Sequence, residues 1–353
     1  PATNGRTSHA TSAKTTNDMT SARAMRLRVP RPIADSPLTL EPVDLPPLAP
    51  RSVRLRLRAC GLCRTDLHIA EGELPIKKMP ITVGHQAVGI VEQTGIGVAY
   101  ARVGDRVGIP WLHTVCGECD FCRRGEENLC DRATFTGWDV DGGYAEAMVA
   151  DEAALVPIPP QFTDAEAAPL LCAGIIGYRS LRQADVQPGE HVGLFGFGAS
   201  AHIALQVARH WGCAVSVFTR SAAHRALAES LGAGWSGVAQ SSPPRLLDRA
   251  ILFAPVGALV PIALGHIRKG GTLAINAIHM SAIPEMNYTL LYGERTVRSV
   301  TNATRRDAAE FMVLAAQIPV RTHVATFALT EANTALAMLK RGDLQGAGAL
   351  VFD

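Results

Sequence analysis

The sequence predicts an α/β protein of two units, one mainly β and one a parallel sheet flanked by helices. Two observations carry this. Up to about residue 160, apolar residues tend to alternate with polar ones between glycine turns. From His191 onward, short apolar strands alternate with segments of helical length, as β–α–β units do.

In the first unit, 52–59 alternates Val53, Leu55 and Leu57 with basic residues and reads as a half-buried strand. Segments 84–92 and 103–109 read as further strands, divided by turns at Gly95, Gly97 and Gly104. Residues 164–171 have helical spacing. In the second unit, strands are expected at 191–195, 214–218, 249–254 and 272–277, and helices at 201–210, 222–231 and 260–268. A helix at 307–317 and a short mixed tail follow.

The 353 residues are enough for two domains, and 47% are hydrophobic, so a large core can form. The net charge of +2 points to no acidic partner, and no basic block with interleaved aromatics suggests nucleic acid. No apolar run nears the ~18 residues that suggest a membrane helix. Residues 1–24 are rich in Ser, Thr, Ala and Asn and cannot offset their ordering entropy, so they read as a disordered extension. They lack the apolar region of a secretory signal. Their Ser, Thr and Arg content leaves a transit peptide as the alternative to an extended start upstream of Met19 or Met25. A cytoplasmic enzyme with reduced thiols is the expectation.

Of the eight cysteines, Cys116, Cys119, Cys122 and Cys130 form C-x2-C-x2-C-x7-C. Four thiolates on a short loop supply a closed tetrahedral shell, the signature of a structural zinc. Gly117 and Gly125 relieve the sharp turns.

The stretch 192–201 reads as strand, glycine turn and helix start. Gly196 permits the tight turn, Gly198 lets backbone approach a pyrophosphate, Ala199 joins them as a cofactor-binding residue of the loop, and Ala201 allows close helix–strand packing. This is a Rossmann-like dinucleotide loop, with the helix N-terminus facing the phosphates. At the end of the next strand an NAD site often places an acid. Here Thr219, Arg220 and Ser221 stand instead, a set suited to a 2′-phosphate. NADP(H) is therefore favoured over NAD(H).

Three segments then combine: 60–68 (Cys-Gly-Leu-Cys-Arg-Thr-Asp-Leu-His), 83–86 (Val-Gly-His-Gln) and 169–174 (Pro-Leu-Leu-Cys-Ala-Gly). With 104–107 (GDRV), the cysteine lobe, 142–146 (GGYAE), the nucleotide loop and 304–307 (TRRD), the chain from Met25 onward resembles the zinc-containing medium-chain alcohol dehydrogenases. The resemblance implies a GroES-like catalytic domain at 25–173, a Rossmann NAD(P)-binding domain at 174–301, and a segment at 302–353 that returns to the first. It makes Cys63, His85 and Cys172 the ligands of a second, catalytic zinc with one open position, and Asp66 the carboxylate that orients His85. Thr65 would accept the alcohol proton and pass it through the nicotinamide ribose to His68. Arg64 and Arg305 would meet the pyrophosphate. Trp111 would wall a narrow apolar pocket for primary alcohols or aldehydes, with Trp138 and Ile176 as further lining. Cys60 and Cys213 match no ligand position and read as packing.

One residue departs from the pattern: Gln86 stands where the family usually has Glu after the ligand histidine, leaving the site about one charge more positive. Alternatives are a secondary-alcohol or polyol dehydrogenase, against which Cys172 in place of Glu argues, a zinc-free reductase, and a zinc- and nucleotide-binding protein without turnover. Relatives form dimers or tetramers, and the strand near 296–300 is a place for subunits to pair sheets.

Overall fold

The computed structural model describes residues 20–318 and 320–352. Most of the expected disordered extension, residues 1–19, lies outside the described residues. Its last residues do not: the first strand, Ser21–Leu27, already begins at Ser21. Ala22 and Ala24 are buried between exposed Ser21 and Arg23. The strand pairs antiparallel with Leu38–Asp44 and, at its end, with Ile81–Thr82.

A larger sheet runs Val156–Pro157, Arg106–Ile109, Ala87–Thr94, Ser52–Gly61, Ala347–Val351, Val324–Ala328, with Ala147–Asp151 also on Ser52–Gly61. Ser52–Gly61 was expected to be half-buried; it is central and covered on both faces. Arg54 is consequently buried, its Nη1 donating to Gln93 Oε1 at 2.9 Å. A buried cation is tolerated only when so paired. The C-terminal strand lies antiparallel against it, with Ala349 opposite Gly61. The last residues of the chain thus complete the sheet of the first unit.

The strand expected from Gly84 begins at Ala87 instead. Gly84 has φ +99°, and a Cβ there would lie 2.3 Å from the Tyr144 ring, so only glycine fits. The strand expected from Val103 starts at Arg106, after the Gly104 turn with φ +96°.

The second sheet has six parallel strands in the order Trp235–Gly237, Ala214–Phe218, His191–Phe195, Leu247–Leu252, Ile267–Ile275, Thr296–Ser299. Helices Ala199–His210 and Ala222–Ser230 connect its first strands, and Leu259–His266 leads into Ile267–Ile275. The order reverses beside His191–Phe195, so the crevice for a ligand opens at the carboxyl end of that strand. Helix Ala173–Gln183 packs against Ala199–His210 and against Arg305–Gln317, which follows the second sheet. Helix Arg305–Gln317 opens with a reciprocal cap: Thr304 Oγ1 accepts from Asp307 N, and the Asp307 carboxylate accepts from Thr304 N.

Candidate active site and metal centres

The short helix Arg64–Glu71 sets the first part of the site. Cys63 is its N-cap, and the Cys63 sulfur accepts from Thr65 N. Asp66, three residues on, accepts from Cys63 N at 3.0 Å. The cap therefore fixes Cys63, Thr65 and Asp66 together. Asp66 is fully buried and is held by donors from three more places: His85 Nδ1 at 2.8 Å, Gly84 N at 3.1 Å and Tyr144 Oη at 3.2 Å. Burial pushes the Asp66 carboxyl up from its usual range while His85 pulls it back.

His85 is 1% exposed. Its Nδ1 is engaged by Asp66, and its Nε2 has no hydrogen-bond partner among the described residues. The Cys63 and Cys172 sulfurs and a His85 ring nitrogen lie within 4.8 Å of one another. Cys172 arrives from the N-cap of helix Ala173–Gln183. The hydrogen bond between the two sulfurs drives the Cys63 thiol well below its ordinary range and the Cys172 thiol well above it. Burial alone would lower the His85 imidazolium, but Asp66 and Cys63 raise it to about 10. Two half-buried thiols and one buried imidazole with an orphaned nitrogen fit zinc: three soft or borderline donors would bind it and leave one position open.

The second cluster is chemically different. The Cys116, Cys119, Cys122 and Cys130 sulfurs lie within 4.8 Å of one another on a loop carrying helix Asp120–Arg123 and the turn Glu127–Leu129. Gly117 and Gly125 have φ +75° and +73°, which a residue with a side chain adopts only under strain. Backbone donors from Glu118 and Cys119 bring the Cys116 thiol down to about 6, while burial and neighbouring sulfurs push Cys122 up to about 12. Four sulfurs close a tetrahedral shell and leave no place for substrate.

Around the three-ligand cluster, the Thr65 hydroxyl lies 3.6 Å from the Cys63 sulfur. Buried His68 sits one turn further along the helix, its Nδ1 in short contact with the Glu73 carboxylate. The His68 ring is 5.7 Å from that of His279, which belongs to the second unit. Trp111 stands edge-on to His85 at 4.8 Å and stacks with Phe135 and Trp138, at 5.0 and 5.8 Å. Ile176 lies one turn beyond Cys172, its N–H bonded to the Cys172 carbonyl.

In the nucleotide loop, Gly196 has φ +89°, and a Cβ on Gly198 would meet nothing within 4 Å, leaving room above the turn. Ala199 starts the helix and Ala201 is fully buried against the sheet. Ser221 caps the next helix through His224 N, and its own N–H reaches Thr219 Oγ1. The Arg220 side chain is exposed and makes no hydrogen bond or ion pair among the described residues. Arg225 donates to the Thr219 and Arg220 carbonyls, adding a second cation to this loop.

The chain is 46% identical over 335 residues to the Mycobacterium tuberculosis protein named "Probable alcohol dehydrogenase AdhA", covering 93% of this chain and 97% of that one. It belongs to the zinc-type medium-chain alcohol dehydrogenases. The family model for the alcohol dehydrogenase GroES-like domain matches residues 49–160. An alcohol dehydrogenase of Geobacillus stearothermophilus is 36% identical over 90% of this chain and 97% of its own. Among solved structures, the alcohol dehydrogenase of Aeropyrum pernix superposes with a TM-score of 0.85 at 30% identity, over 94% of this chain and all of that one. The chain is accordingly an NAD(P)-dependent oxidoreductase of alcohols and aldehydes.

Arg64 is exposed at the start of its helix, free to meet an anion. Arg305, expected at the pyrophosphate, commits its Nε to the Ala153 carbonyl at 2.8 Å. Four residues went unassigned in the sequence reading. Tyr144 lay inside a quoted motif but carried no role. Glu73 lies five residues past His68, across the helix-ending Gly72, and only the fold turns it back. His279 and Asn302 come from distant segments and left no local signal.

Proposed function

We propose that this dehydrogenase interconverts primary alcohols and aldehydes using NADP(H), with one zinc in the open cluster and one in the cysteine lobe. The observation that carries the reading is the orphaned His85 Nε2 beside the Cys63 and Cys172 sulfurs. When bound, zinc with an open position supplies a Lewis acid for the substrate oxygen, and the nicotinamide carries the hydride.

The chain's own residues do the rest. Cys63, His85 and Cys172 hold the metal. Asp66 accepts from His85 Nδ1 and keeps the Nε2 lone pair directed at the sulfurs. The Thr65 hydroxyl would take the alcohol proton, and His68, whose Nδ1 is held by Glu73, would carry it onward. Glu73 thereby extends the relay towards solvent. Trp111, Phe135 and Trp138 form an aromatic wall that keeps water from the reacting centre and favours flat apolar substrates. Exposed Arg64, together with Arg305, whose Nε alone is committed to Ala153, would supply positive charge to the pyrophosphate. Thr219, Arg220 and Ser221 would receive the 2′-phosphate, which suits an exposed guanidinium without a partner among the described residues.

Cys116, Cys119, Cys122 and Cys130 keep their zinc away from the chemistry. Strand Thr296–Ser299 lies at the edge of its sheet with all four residues exposed. An unpaired edge of this kind is a template for pairing, and two copies joined there make a homodimer, itself a building block for a tetramer. We place the enzyme in the cytoplasm, where its thiols stay reduced. Among the described residues no helix is long and apolar enough to cross a membrane.

The test is metal analysis together with steady-state oxidation of NADPH and NADH across a panel of aldehydes. Two zinc ions per chain and NADPH-dependent turnover of primary aldehydes support the reading. Nucleotide binding without turnover would replace it with a non-catalytic role.

A further inference from the structure

The Trp111 indole has one hydrogen bond among the described residues: its Nε1 donates to Asn302 Oδ1 at 2.9 Å, across 191 positions of sequence. Asn302 lies between the end of the second sheet and helix Arg305–Gln317, on the stretch by which the chain returns to the first unit. Its φ is +51°, a left-handed conformation that asparagine tolerates better than most residues with a side chain. The other end of its amide is used as well. Asn302 Nδ2 donates to the Asn128 carbonyl at 3.4 Å, and Asn128 Nδ2 donates back to the Thr301 carbonyl at 2.8 Å. Asn128 is 3% exposed and stands two residues before Cys130. Next to it, the buried Glu127 carboxylate accepts from Arg305 N at 2.9 Å. Three successive links therefore pin the returning segment to the cysteine lobe, and one side chain on that segment pins Trp111.

We infer that Asn302 is a specificity-determining positioning residue. It fixes the indole of Trp111 in its edge-on contact with His85 and transmits to the substrate wall the rigidity of the cysteine lobe. The lobe then has a role beyond its own stability: it anchors the residue that shapes the pocket. Indole orientation matters because Trp111 stacks on Phe135 and Trp138 while meeting His85 edge-on; a ring free to turn about its χ angles would intrude on a flat substrate. The inference rests on Trp111 being the wall of the substrate pocket, as proposed above.

The test is kinetics on the full chain with NADPH and two aldehydes, small butanal and flat cinnamaldehyde. Asn302→Gly keeps the left-handed backbone unstrained and removes the amide. It should raise KM for cinnamaldehyde about fivefold, the worth of one net hydrogen bond, with smaller changes in KM for butanal, in kcat and in KM for NADPH. Asn302→Asp retains an acceptor for the indole and should recover most of the loss. Trp111→Phe removes the donor without touching the Asn302 backbone. It should give the same split, and adding Asn302→Gly to it should cost nothing more. Equal losses for both aldehydes, no rescue by Asp, or full additivity with Trp111→Phe would overturn the inference while leaving the pocket assignment intact. If Trp111→Ala leaves the aldehyde spectrum unchanged, the pocket assignment falls, and the inference with it.

Discussion

Asp66 Oδ1 lies 2.8 Å from His85 Nδ1, and the same carboxylate accepts from Cys63 N. One buried acid thus fixes two of the three proposed ligands, one through its ring and one through its backbone. Asp66→Asn preserves the shape but loses the charge that favours a basic imidazole. Loss of such a partner typically weakens metal binding ~10–100-fold. Competition with a chelator should show this for one zinc per chain, with the cysteine-lobe zinc retained.

Gln86 is 1% exposed, and its Oε1 has no partner among the described residues. A neutral amide carbonyl buried next to His85 places no anion at this position. Gln86→Glu should raise kcat and move its pH profile. A profile superposable on wild type would show the substitution to be silent.

The cofactor prediction turns on Arg220. Removing a charged donor to a phosphate costs roughly 1.5–3 kcal/mol, or ~10–100-fold in affinity. Arg220→Ala should raise KM for NADPH by that factor and leave KM for NADH nearly unchanged. A wild-type preference for NADH would refute the assignment.

Acid stability should depend on His202, buried on helix Ala199–His210 with neither ring nitrogen bonded among the described residues. Desolvation lowers its pKa to about 4. The unfolded chain binds this proton near the ordinary ~6.5. The folded form therefore binds fewer protons between the two values, and stability falls as pH drops from about 6.5 towards 4. The full effect is on the order of 3 kcal/mol. His113, lowered to about 4 by burial, acts in the same direction. Urea unfolding of wild type and His202→Gln from pH 7 to 4.5 should show a shallower decline in the variant.

The parts that sequence reveals are those with local causes. His191–Phe195 and Ala214–Phe218 are short, mostly apolar runs between turns, and both match the expectation residue for residue. The cysteine lobe could be read because cysteines are rare and their spacing constrains what they can do, whereas Cys63, His85 and Cys172 lie far apart and were linked only through the family resemblance. The strand Ser21–Leu27 was missed because its inward residues at the start are small alanines, and its stability comes from pairing with Leu38–Asp44 and from Met25 N bonding to the Tyr144 carbonyl. The contacts of Asp66 with Tyr144, His68 with His279 and Trp111 with Asn302 join segments far apart in sequence, and no periodicity encodes them.

The central claim is that the open cluster is a zinc site on which the chemistry depends. Zinc content and NADPH-dependent aldehyde reduction of His85→Ala, measured beside wild type, test it most directly. The account predicts two zinc ions per chain in wild type and one in the variant, with kcat/KM lower by about a thousandfold or more, since several kcal/mol of Lewis-acid stabilisation are lost. Retention of both zinc ions, or of wild-type turnover with one, would contradict it.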